Sequence, residues 1–359
     1  MRHARLSQLV LFLLAGAGLA ACGGAPAAAG AGAGAASGGG ERPEAAERTA
    51  EASSDDEEFP LDAPAVVPGT GITLRPPRGS DVLPTGAGFV HTRRRIQILV
   101  AETEGPASLL ASFREQLLAG AEPEGEPETL SLSGVEATLG VDRQESGEVE
   151  LERVWLYAEE GGRAVAVIGA YVSDRSERYR GLVRAALTSA VWDRARPIDP
   201  EQALGFGLTV EGLVLDRSSS SPLVYGLAGA AVPPSPAEPR LFVMALPVAV
   251  PASQRGEVCE ELLLQAGPVG EDSVQDRHDI ETDELEGCEV EGLQENEDPD
   301  EGEPESATTY AAVLFHDDGV FLVAGIVDAA LRETWIGRFR EASRTLHRVR
   351  GEEEDAEEE

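Results

Sequence analysis

The sequence predicts an α+β protein made of two tandem α/β/α sandwich domains, each a mostly antiparallel sheet with helices on its faces. Three observations carry this. A strand-turn-strand-helix unit occurs twice, over residues 151–192 and 308–348, and the later parts align without a gap. Val167 falls on Val323, Gly169 on Gly325, Tyr179 on Trp335, Gly181 on Gly337, Arg184 on Arg340 and Ala186 on Ala342. Within each copy the apolar period changes from two, which suits strands, to the i, i+3, i+4 spacing of a helix face. Upstream of each copy the same succession of strand, helix and strand also recurs.

Taken in order, residues 1–22 read as a lipoprotein signal peptide. Arg2, His3 and Arg5 precede the apolar run 9–14, and Leu19-Ala20-Ala21-Cys22 is a lipobox. The run is too short for a membrane span. Cys22 is thus the expected lipidation site, with an ordinary secretory signal as the alternative; several acyl chains anchor stably where one does not. Gly23 stands where an Asp would retain an enterobacterial lipoprotein at the inner membrane, which points to the outer membrane, facing the periplasm. Residues 23–59 are rich in Ala, Gly and Glu and cannot bury a core, so they read as a disordered tether. Its r.m.s. span as a flexible coil is roughly 30–35 Å.

Residues 60–193 form the first expected domain. Ile96-Gln97-Ile98-Leu99-Val100 reads as a strand, followed by a helix with Leu109, Leu110, Phe113, Leu117 and Leu118 that stops at Gly120. Leu132-Ser133-Gly134-Val135-Glu136 comes next. Val154 and Leu156, then Val165 and Val167, are strands joined by a Gly161-Gly162 turn. Tyr179, Leu182, Val183, Ala186, Leu187 and Ala190 share a helix face. Residues 194–204, with Pro197 and Pro200, read as a short linker. Residues 205–350 repeat the plan with Leu241-Phe242-Val243-Met244-Ala245, a helix carrying Cys259, Leu262 and Leu263, then Leu285-Glu286-Gly287-Cys288-Glu289, and a closing helix with Trp335, Ile336, Phe339, Ala342 and Leu346. Residues 351–359 are an acidic tail, expected to be disordered.

The net charge is −36, and all 29 basic residues are arginines. Such a field repels nucleic acid and anionic lipid from the bulk surface. Cys259 and Cys288 are an even pair in an oxidising compartment and are expected to form a disulfide; two buried free thiols are the alternative. By the motif alignment, Val135 stands at the Cys288 position of the first domain.

Five scattered histidines show no metal spacing, and no nucleophile elbow or P-loop occurs. We therefore expect no catalytic residues, no metal site and no cofactor. The carboxylate-dense stretch 296–305 reads either as a solvated hairpin loop or as a Ca²⁺ site. Arg340, Arg344 and Arg348, spaced i, i+4, i+8 on the last helix, and the run Arg93-Arg94-Arg95 read either as solvated charge or as docking faces for an acidic partner.

The element order, the Leu-x-Gly strand entry, the hairpin and the closing helix with Trp192 at its end resemble the PsbP/DcrB-like superfamily. The resemblance covers both halves and implies an antiparallel sheet with helices on both faces, and members that mostly bind other proteins. It brings no catalytic set. The function expected is that of a membrane-anchored envelope lipoprotein acting as a non-enzymatic protein-interaction or assembly module. The competing readings are a binding protein for a small ligand or divalent cation in an inter-domain groove, and then an envelope hydrolase.

Overall fold

The computed structural model describes residues 61–118, 122–146, 149–229, 238–246, 250–266, 274–281, 285–295, 306–317 and 319–349. The signal peptide with Cys22, the tether, Gly120, Gly267, the stretch 296–305 and the acidic tail lie outside these residues.

The N-terminal unit runs β1 (Ala65–Val66), β2 (Ile72–Leu74), β3 (Asp81–Val82), β4 (Gly88–His91), β5 (Ile96–Glu104), α1 (Ala107–Leu118), β6 (Glu122–Pro123), β7 (Glu128–Leu132), β8 (Val135–Ser146), β9 (Val149–Glu160), β10 (Arg163–Val172), α2 (Ser176–Thr188) and β11 (Val191–Trp192). A one-turn helix, α3 (Pro200–Leu204), leads into the C-terminal unit. This unit runs β12 (Phe206–Gly207), β13 (Val214–Asp216), β14 (Leu223–Gly226), β15 (Arg240–Leu246), α4 (Arg255–Ala266), β16 (Val274–Glu281), β17 (Glu286–Glu295), β18 (Ser306–His316), β19 (Gly319–Asp328), α5 (Arg332–Arg344) and β20 (His347–Arg348).

Each unit has one large antiparallel sheet. The first has eight strands in the order β3-β4-β5-β10-β9-β8-β6, with β7 also paired to β8. The second has seven, in the order β13-β14-β15-β19-β18-β17-β16. Residues of alternate parity on the central strands bury opposite faces, so each sheet carries two cores. Val154, Leu156, Val165 and Val167 pack under α2, while Trp155, Tyr157, Ala164 and Ala166 pack under α1. In the second unit Tyr310, Ala312, Phe321 and Val323 pack under α5, and Ala311, Val313, Val320 and Leu322 under α4. This is the α/β/α layering expected from the sequence.

The duplication is visible where helix meets sheet. A Cβ added at Gly169 would lie 2.2 Å from Val183, and one at Gly325 would lie 2.4 Å from Phe339. Val183 and Phe339 are themselves equivalent positions. In both units the closing helix sits so close to the sheet that only a bare backbone fits beneath it.

Four sequence expectations need correction. The Leu-x-Gly motifs are not equivalent. Ser133 and Gly134, both at positive φ, form the two-residue turn between β7 and β8, whereas Gly287 lies inside β17. Pairing with the next strand shows the offset: Ala137 faces Ala158, and Gly287 faces Leu314, the counterpart of Ala158. Cys288 therefore corresponds to Thr138 rather than Val135. Leu118 is not a core residue but is 39 % exposed at the end of α1. The arginine stripe is broken, because α5 ends at Arg344 and Arg348 lies in β20, paired with Phe206 of β12. Finally, the linker is itself folded. Asp199 caps α3 by accepting from the Gln202 N–H, and Gly205 closes the helix in the left-handed conformation.

The two units interlock. Ala203 belongs to the core under α2 and Leu204 to the core under α5. Residues 218–220 run along the end of β5: Thr103 pairs with Ser219, the Ser220 N–H donates to the Glu102 carbonyl at 2.8 Å, and the Glu102 N–H donates to Ser220 Oγ at 2.9 Å.

Candidate functional site

Charged side chains on the closing helices are bound to carboxylates on the sheet beneath them. In the N-terminal unit Glu152 of β9 is fully buried. Arg180 of α2 reaches it with Nε at 2.8 Å from Oε1 and Nη2 at 2.6 Å from Oε2, and the Tyr171 hydroxyl also donates to it. Burial alone would raise the pKa of Glu152, but the hydrogen bonds from Arg180 and Tyr171 hold it below the usual carboxylate range. Burial and the hydrogen bond to Glu152 push the Tyr171 phenol up, so it stays a donor.

The C-terminal unit solves the same problem with different residues. Glu289 and Glu291 alternate on β17 and face α5. Tyr310 donates to Glu289 at 2.9 Å, Arg340 Nε to Glu289 at 2.9 Å, and Arg344 Nη2 lies 3.6 Å from it. Arg332 donates to Glu291. Two of the three predicted docking arginines, Arg340 and Arg344, are thus held by a buried carboxylate and remain about one-third exposed. Arg348 lies apart from them, stacked over Phe206 at 5.6 Å from the ring centre.

Glu289 and Glu291 were missed from sequence because acidic residues are so abundant in this chain. The signal was an alternating pair of glutamates in an otherwise buried strand, matched to arginines at i, i+4 on the helix that covers it.

Above this network α5 carries a shallow hollow of about 200 Å³ lined by Glu291, Arg332, Glu333, Ile336, Gly337 and Arg340. Its floor is Gly337, where an added Cβ would meet nothing within 4 Å; the same holds for its counterpart Gly181 on α2. A second hollow, of about 370 Å³, lies against α1 between Ala107, Ala111, Arg114, Glu115, Leu118 and Glu159.

Cys259 of α4 and Cys288 of β17 are bonded, with Cα atoms 6.3 Å apart, inside the usual range for a disulfide. The bond ties α4 to the face of the sheet opposite α5. Among the described residues no group of three or more His, Cys, Asp or Glu side chains is placed to hold a metal ion. No described helix is long and apolar enough to cross a membrane.

No family model and no curated protein matches the chain. Among solved structures, the chain is similar to cyanobacterial PsbP (CyanoP) from Synechocystis sp. PCC 6803. That match has 13 % identity and a TM-score of 0.27, over 34 % of this chain and 87 % of that one. LpqN of Mycobacterium tuberculosis, described as involved in cell envelope biogenesis, is similar at 12 % identity and TM-score 0.28, over 36 % and 84 %. The immunity protein TplEi of T6SS from Pseudomonas aeruginosa is similar at 9 % identity and TM-score 0.28, over 79 % of this chain and 96 % of that one.

Proposed function

We propose that this chain is a lipid-anchored protein of the bacterial cell envelope, held through Cys22, whose paired units form a non-enzymatic module that binds another protein. The observation that carries this is the pair Gly181 and Gly337. A glycine inside a helix or a strand costs roughly 0.5–1 kcal/mol relative to alanine. Gly169 and Gly325 offset that cost by letting helix and sheet approach. Gly181 and Gly337 face outward in both units, and no contact among the described residues requires them. A bare backbone on an exposed helix suits the close approach of a partner chain, and the hollow over Gly337 is the surface we assign to it. Arg340 and Arg332 then form the rim, already oriented by Glu289 and Glu291, so binding orders few new side chains.

The test uses two variants. Gly337→Trp places a large side chain in the hollow from a position where an added Cβ meets nothing within 4 Å, so it should abolish capture of the envelope partner in pull-downs from detergent-solubilised membranes without lowering thermal stability. Cys22→Ser should leave the protein unacylated and free of the membrane. Undiminished capture by Gly337→Trp, or saturable turnover of a small substrate by the purified protein, would overturn the module reading. A Cys22→Ser protein that still partitions fully with membranes would overturn the anchor.

A further inference from the structure

In a chain of net charge −36, residues 61–100 stand out with five arginines against two aspartates, Asp62 and Asp81. The fold gathers them at the end where the chain enters the N-terminal unit. Leu61 pairs with Pro77, Asp62 Oδ2 accepts from the Gly79 N–H at 2.9 Å and lies 3.8 Å from Arg78, and Arg75 Nε donates to the Asp62 carbonyl. A Cβ at Gly79 would lie 3.9 Å from His91 Nε2, and His91 opens directly into the 3₁₀ turn Thr92–Arg94. Arg78, Arg93 and Arg95 are exposed on this rim.

His91 lies beneath it, 8 % exposed, and its Nδ1 has no hydrogen-bond partner among the described residues. Burial first, then the charges of Arg94 and Arg93, lower its pKa, against the opposing pulls of its own backbone and of Asp81 on β3. The exposed guanidinium groups of Arg78, Arg93 and Arg95 around it are a place for an anion.

The chain itself carries the complement. Asp55, Asp56, Glu57 and Glu58 stand three to six residues before Leu61, within roughly 10–20 Å of chain reach. We propose that the acidic run 55–58 docks on the arginine rim formed by Arg78, Arg93, Arg94 and Arg95. Covalent attachment gives the run a local concentration that a separate acidic partner does not have, and anionic headgroups are opposed by the rest of the acidic surface. Each exposed pair contributes little, so docking depends on four carboxylates acting together and is sensitive to salt. With the run docked, the free part of the tether ends near residue 54, and the arginine-rimmed end of the body is the one turned back towards the anchor.

The test uses the full chain carrying Cys22→Ser and a spin label at Ser53→Cys, with amide signals of Gly79 and residues 92–95 as the readout. Paramagnetic broadening of these signals is expected at low salt. It should weaken several-fold at ~0.5 M salt and fall to the same residual level when the run is neutralised by Asp55→Asn, Asp56→Asn, Glu57→Gln and Glu58→Gln. These substitutions precede the first described residue. Broadening that neither ~0.5 M salt nor neutralisation diminishes would overturn the proposal. Broadening that phosphatidylglycerol vesicles displace at low salt would assign the rim to the membrane surface and overturn it as well.

Discussion

Replacing Glu102 with glutamine tests the buried charge at the end of the N-terminal unit that adjoins its neighbour. The Glu102 carboxylate is fully buried on β5 and accepts three hydrogen bonds: from the Gly71 N–H at 2.7 Å, from Arg163 Nη2 at 2.6 Å and from Trp192 Nε1 at 2.7 Å. Its backbone holds Ser220 of the other unit, and Arg163 in turn donates to the carbonyls of Arg194 and Arg196 in the connection between them. Glutamine keeps the shape but offers one acceptor oxygen. Its amide must present N–H groups either to the Gly71 N–H or to the Arg163 and Trp192 donors, and the Arg163 charge loses its buried partner. Hydrogen bonds to a charged group are each worth about 1.5–3 kcal/mol, and breaking a buried pair by removing one partner costs about 3–5 kcal/mol in all. Glu102→Gln should therefore lower stability by about 3–5 kcal/mol in urea titrations of the full chain, with an earlier midpoint at unchanged slope. The double variant with Arg163→Met removes both charges and should recover part of the loss. A loss below about 1 kcal/mol, or strict additivity of the two changes, would refute the account of Glu102 as the buried tie.

Gly325→Ala drives a methyl group into Phe339 and should cost about 1–3 kcal/mol, whereas Gly337→Ala on the exposed side of α5 should stabilise by about 0.5–1 kcal/mol; chemical denaturation of the two variants separates packing from propensity. Reducing the Cys259–Cys288 bond should cost roughly 3–4 kcal/mol on the chain-entropy model, and a thiol count on the non-reduced, denatured protein should find neither cysteine reactive. Glu152 gives a pH dependence of definite sign. Its folded pKa lies below its ordinary value of 4.5, so the unfolded chain binds the proton first and the stabilisation, complete above that value, is lost as the pH falls through the depressed one. Glu152→Gln should flatten the stability–pH curve on the acid side, and an unchanged curve would count against the Arg180 pairing.

The architecture was legible because apolar spacing is a local signal that burial makes obligatory. Val165 and Val167 on one face, with Val183 and Leu187 on the helix above, follow from period alone. The register of β17 was not legible, since Gly287 fits a turn by composition yet sits in the strand where a side chain would strike the Val313 carbonyl. The arginine stripe failed for a related reason. Helical spacing runs on through Arg348, but Thr345 closes the helix and β20 draws the chain across to β12. Glu102, Glu152 and Glu289 could not be picked out among 65 acidic residues, because only the tertiary fold decides which few are enclosed with an arginine or a tyrosine.

Helix α3 fixes a phase between the two halves. Ala203 and Leu204 are adjacent yet belong to different cores, and one added residue in a helix rotates everything after it by about 100°. An insertion between them would leave one core or the other without its side chain, although the connection looks like the place where a duplicated chain tolerates a change of length. The two copies are therefore free to diverge in sequence, as their ion-pair networks have done, but not in the length of the joint between them. A change in the length of this joint would have to be matched by repacking on both sides at once.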